Sequence, residues 1–155
     1  MSVFLDSGIL LRVLHRADPR HFEVRKAIVL LVNQGSTLFT GLQQFAEFWI
    51  VSSRPPGLRG GFNLPLDEVA KRLRRIERGV KVLAETPATP EIWKSLVQKH
   101  AVRGVQVHDA RTTALMLTHS VQRLLTLNKA DFLRYESEGV IPMFPAELSE
   151  SLSTT

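Results

Sequence analysis

The chain has no cysteine, which rules out a disulfide framework and a thiolate zinc site and suits a reducing cytoplasm. It also lacks a hydrophobic run long enough for a membrane. The opening MSVFLDSGILLRVLHR is apolar, but Asp6 interrupts it and no small-residue cleavage site follows, so neither a signal peptide nor a span is expected. Internal repeats and low-complexity tracts are missing as well. His15, His21, His100 and His119 lack metal-ligand spacing and read as surface or packing residues. Acids are in the minority, fifteen Asp and Glu against twenty Lys and Arg, for a net charge of +5. Such an excess suits a polyanion such as RNA or DNA, and equally an inert basic surface.

What is present is a chain of 155 residues, 44% hydrophobic and 23% charged, enough for one domain with a sizeable core. Short apolar runs alternate with helical periodicity. Strands are expected at 2–5, 37–40, 80–83, 123–127 and 140–144, with Pro142 placing the last at an edge. Helices are expected from Ile9, over 20–33 with Phe22, Ala27, Ile28 and Leu31 packing, over 41–52, 67–78 and 90–100, and from His108. The 41–52 segment is apolar nearly all round and should be largely buried. Both tryptophans, Trp49 and Trp93, read as core. Residues 54–61 form the one long, mobile loop. The alternation predicts an α/β layer fold with a mainly parallel sheet, one domain over 1–146 and a flexible tail over 147–155.

Several acids fall where such a fold gathers its functional groups, outside the carboxyl ends of parallel strands. Asp6 ends the first strand, and Asp131 follows the strand that ends near Leu127. Asp109 opens a helix, and Glu47 sits on the helix otherwise built for burial. Each has a plainer explanation: a turn residue for Asp6 and Asp131, a helix cap for Asp109, a rim position or an Arg partner for Glu47. Together they point further. Converging carboxylates raise one another's pKa unless a hard divalent cation compensates, and an oxygen-only set favours Mg²⁺ or Mn²⁺.

The segments LDSGILLRVL, Gln43-Gln44-Phe45-Ala46-Glu47-Phe48, VHDARTTALML and LLTLNKADF, in that order and spacing, resemble the PIN-domain nucleases, and the VapC-type toxins of bacterial toxin–antitoxin modules among them. The resemblance covers 3–144. It implies a three-layer α/β/α sandwich with a short, mainly parallel central sheet. It also implies Mg²⁺-dependent hydrolysis of RNA, a cognate antitoxin and a homodimer. Carried onto this chain, it makes Asp6, Glu47, Asp109 and Asp131 the catalytic acids. Asp6 and Asp109 would hold metal, with Glu47 and Asp131 doing so directly or through water. Asn128 stands where many members place the fourth acid, and Gly8 where an Asn is frequent, so Asn128 and Ser7 are secondary candidates. Thr126 could orient a carboxylate or a water. Arg111, Lys129, Arg54 and Arg59 are the candidates for RNA phosphate. The competing expectation is a PIN-like RNA- or protein-binding module with a degraded metal site. Gly8 also removes the second aspartate that a haloacid-dehalogenase phosphatase would need.

Overall fold

The computed structural model describes residues 1–57 and 59–150. Its centre is β1 (Ser2–Leu5), where Val3, Phe4 and Leu5 are all buried. A continuous apolar run of this kind belongs to a strand covered on both faces. β1 pairs in parallel with β2 (Thr37–Gly41) on one side and β4 (Arg123–Leu125) on the other. β3 (Lys81–Leu83) and β5 (Ile141–Met143) close the two edges, giving the order β3-β2-β1-β4-β5, parallel throughout. Pro142 lies in an edge strand, as expected.

Alternation along β1 sends neighbours to opposite faces. Val3 and Leu5 join the core formed with α1 (Ser7–Leu14), α2 (His21–Asn33), α3 (Leu42–Ser53) and α4 (Leu66–Glu77). Phe4 joins the other core, with α5 (Ala88–Lys99), α6 (Val107–Thr118) and the segment after β4 that carries Phe132 and Tyr135. The result is the PIN-like α/β/α sandwich. The chain moves outward from β1 through β2 to β3, then crosses back to β4 on the opposite side of β1. That reversal leaves a crevice beyond the carboxyl ends of β1 and β4, the usual ligand position in an open parallel sheet.

Several expectations need correction. α3 is not largely buried: Gln44, Phe48 and Ser52 face inward, while Leu42, Trp49 and Ile50 are 70%, 36% and 53% exposed. A helix apolar all round can offer the sheet only one stripe, and here the four-residue spacing selected a stripe with two polar members. Phe22 is 74% exposed, its expected place in α2 taken by Val24. The loop at 54–61 is not loose where it returns. Phe62, Asn63 and Leu64 donate backbone N–H groups to the carbonyls of Val51, Arg54 and Ser52 at 2.9, 3.0 and 2.9 Å. A side chain at Gly61 would collide with the Arg54 and Pro55 carbonyls. Residues 147–150, expected in the tail, belong to a helix instead: α8 (Pro145–Glu150) packs on α2, and Glu147 accepts from Lys129 at 2.6 Å. Of the expected tail, 151–155 lie outside the described residues.

Candidate metal centre

Asp6 leaves β1 as the N-cap of α1 and is only 8% exposed. Its carboxylate is held at both oxygens: Oδ1 accepts from the Ser7 backbone N–H at 2.9 Å, and Oδ2 accepts from the Thr126 hydroxyl at 2.8 Å. Ser7 therefore contributes its amide. Thr126 is fully buried just past β4, and its oxygen also accepts the Asn128 N–H at 3.0 Å. One hydroxyl thus ties the carboxyl end of β4 to the acid at the end of β1. Burial raises the Asp6 pKa; the Thr126 and Ser7 hydrogen bonds oppose it, and Glu47 and Asp131 add to it.

Glu47 stands on α3, half-buried, and accepts from the Gln43 amide at 3.1 Å. Among the described residues no Lys or Arg pairs with it, so the Arg-partner explanation falls away. The same Gln43 amide donates to the His108 carbonyl at 3.0 Å, joining α3 to the start of α6. A 3₁₀ turn over Gly104–Gln106 leads into α6, whose cap is Gln106 with no side-chain capping bond. Asp109 is consequently the third helical residue and caps nothing. It is half-buried, and its pKa is raised to about 7, first by burial and then by Asp6, Asp131 and Glu47, with Arg134 opposing. Asp131 lies on the one-turn α7 (Lys129–Phe132), exposed, preceded by the exposed Asn128.

The fold therefore brings Asp6, Glu47, Asp109 and Asp131 within electrostatic reach of one another. They are not packed into a closed cage: among the described residues no three His, Asp or Glu side chains stand close enough to enclose one ion. The two observations are compatible, since charges interact over distances longer than a coordination bond. An open, oxygen-only set in which Asp6 and Asp109 have raised pKa values suits a hard cation such as Mg²⁺. That ion commonly takes one or two carboxylates and keeps several waters.

The proposed phosphate contacts are less free than their sequence positions suggest. Arg111 pairs with Glu85 and Lys129 with Glu147, each at 2.6 Å and largely exposed. Arg54 donates to the Arg59 carbonyl at 2.6 Å at the far end of α3, about 10 Å along the helix from Glu47. Arg59 lies in the same loop, with φ of 52°. Sequence reasoning gave no role to three residues the site uses. Gln43 and Gln44 link α3 to α6, and Arg134 donates to Gln106 at 3.1 Å beside Asp109. Arg134 lies three residues after Asp131, a cation next to a cluster of acids, and that spacing could have flagged it.

No protein-family model and no curated protein matches the chain. Solved structures do. VapC20 of Mycobacterium tuberculosis, described as a sarcin-ricin loop cleaving toxin, is 18% identical with a TM-score of 0.62, covering 90% of this chain and 96% of that one. VapBC-1 of nontypeable Haemophilus influenzae gives 16% and 0.65, covering 94% and 99%. VapBC2 of Rickettsia felis, solved bound to a DNA fragment from its promoter, gives 10% and 0.65, covering 93% and 98%. At such identities the likeness establishes a shared fold over nearly the whole of each chain.

Proposed function

We propose that the chain is a Mg²⁺-dependent endoribonuclease that acts in the cytoplasm as the toxin of a toxin–antitoxin pair and is silenced by a cognate antitoxin protein. The observation that carries this reading is the convergence of Asp6, Glu47, Asp109 and Asp131 at the crevice between β1 and β4, on a fold shared with VapC structures. Asp6 and Asp109 would hold the ion, with Glu47 and Asp131 acting directly or through water; Mn²⁺ could replace Mg²⁺. The bound ion would lower the pKa of a water and offset negative charge on the phosphate under attack.

The chain's own residues do the rest. Thr126 fixes the orientation of Asp6 through Oδ2, and Gln43 that of Glu47. Arg134 offers an exposed guanidinium beside Asp109. Arg111 and Lys129 can exchange their exposed acid partners for phosphate, since exposed pairs contribute only about 0–1 kcal/mol. Leu42, Trp49 and Ile50 form an exposed apolar face on α3 that suits a homodimer contact.

A second reading, a PIN-like RNA- or protein-binding module without catalysis, is favoured by one observation: Asn128 and Asp131 are both exposed and the acids form no closed cage. Cleavage separates the two. RNA incubated with the protein should be cut in Mg²⁺ or Mn²⁺, spared in EDTA, and spared by Asp6→Asn. Expression should slow a bacterial host, and Asp109→Asn should relieve it. Intact RNA under every metal condition would establish the binding module instead.

A further inference from the structure

At the end of α1 opposite to Asp6, a pocket of ≈ 200 Å³ opens between α1, α2 and α4. Val13 and Leu14 supply its apolar part, and the rest of its wall is Arg16, His21, Arg25 and Arg75. Among the described residues no acid lines it. Arg16 comes from the connection after α1, His21 and Arg25 from α2, and Arg75 from α4, so the groups converge from three parts of the chain. The eight residues of α1 set the pocket about 12 Å along the helix from Asp6.

The three arginines are exposed, and among the described residues none of them pairs with an acid. The acids closest in sequence are engaged elsewhere or turned away. Asp18 and Glu68 are held by Arg12 and Arg72 at 3.4 and 3.1 Å. Glu23 and Glu77 each stand two residues from Arg25 and Arg75, a spacing that does not face along a helix. His21 is fixed in place by its Nδ1, which donates to the Arg12 carbonyl at 2.8 Å and leaves Nε2 unengaged. A concave site lined by one sign of charge concentrates counter-ions, and here the counter-ion is an anion.

We propose that this pocket binds a phosphate group of the RNA chain, at a contact separate from the phosphate cut at the acidic cluster. The inference rests on the reading of RNA as the substrate. Guanidinium forks match phosphate oxygens bidentately. Donors that arrive from three parts of the chain suit a tetrahedral anion, whereas a planar carboxylate has two oxygens and one fork satisfies both. A polyanion with repeating charge also accounts for the surroundings. Lys71 and Arg78 stand four residues before and three after Arg75, on the same face of the α4 region, and both are exposed. A contact of this kind carries no base information; it fixes the register and orientation of the RNA against the acids.

The test is fluorescence anisotropy of a labelled oligouridine with hydroxyl ends, in metal-free buffer over a series of KCl concentrations. Arg16→Gln, Arg25→Gln and Arg75→Gln are changes at exposed positions, with circular dichroism confirming the fold. Each should weaken binding about tenfold at low salt, the worth of one charged hydrogen bond. Arg16→Gln and Arg75→Gln combined should lower the slope of log affinity against log salt by about 0.7, the share of one phosphate on a single strand. Lys94→Gln removes one charge from α5, in the other helical layer, and should change affinity less than about twofold. Unaltered binding by the pocket variants, or an equal loss in Lys94→Gln, would overturn the site. So would pocket variants that lose a labelled oligoglutamate and keep the RNA, since the ligand would then be an acidic protein segment. Cleavage of the same RNA in Mg²⁺ keeps the two proposals apart, because the pocket variants should raise KM and retain kcat. Cleavage with KM unchanged in those variants defeats the phosphate pocket alone. Weakened binding by the variants, with no cleavage even by the wild type, defeats the hydrolase alone.

Discussion

Replacing Asp109 with asparagine should make the metal-free protein more stable at neutral and alkaline pH. The folded Asp109 has a pKa of about 7, against 3.8 for the ordinary side chain, because burial and the charges of Asp6, Asp131 and Glu47 disfavour its ionised form. Between those two values the folded state keeps a proton that the unfolded state has lost. Stability therefore falls as pH rises through this window, and the deficit is complete above about pH 7. Asparagine is neutral throughout and escapes the deficit. At 1.36 kcal/mol per pH unit the full displacement would correspond to about 4 kcal/mol. Asp109 is only half-buried, so solvent screening reduces the expected gain to about 1–2 kcal/mol. The assay is urea denaturation in EDTA at a series of pH values from 4 to 8, followed by circular dichroism. Asp109→Asn should match the wild type at the acid end and exceed it at the alkaline end. Some pH dependence should persist in the variant, because Asp6 also has a raised pKa. Parallel curves for the two proteins would show that neither burial nor the other acids raise the Asp109 pKa.

Thr126→Val keeps the shape of a fully buried side chain but removes the hydroxyl that serves Asp6 and the Asn128 N–H. It should cost about 1–3 kcal/mol by denaturant titration and raise the Asp6 pKa further, while Thr126→Ser should retain most of the stability. Equal losses in Val and Ser would mean that the methyl group, and not the hydroxyl, matters there. Along α3, Phe48→Ala should cost about 3–5 kcal/mol and Ile50→Ala less than about 1 kcal/mol in the monomer, measured the same way. A reversed order would mean that the helix turns its other face to the sheet.

The first strand and its acid were legible because a strand buried on both faces must read as an unbroken apolar run, and Val3-Phe4-Leu5-Asp6 does. α3 was half legible. Its existence followed from composition, but a segment apolar on all sides carries no periodicity to say which stripe goes inward, so Gln44 and Ser52 could not be foreseen as its buried members. Asp109 could not be told from a helix cap, since the distinction depends on the 3₁₀ turn at Gly104–Gln106 that starts α6 earlier. Arg111 and Lys129 read as free cations because their partners are distant in sequence: Glu85 lies 26 residues away and Glu147 lies 18. Arg134 escaped notice for a similar reason, since Asp109, whose charge it offsets, lies 25 residues earlier in the chain.

The most direct test of the acidic cluster is isothermal titration of Mg²⁺ and Mn²⁺ into the wild type, Asp6→Asn and Asp109→Asn at pH 8, with thermal melting of the same samples. The wild type should take up the ion with a measurable heat and melt at a higher temperature in its presence, and both variants should bind far more weakly. An identical, flat response from all three proteins would contradict a metal centre at these residues.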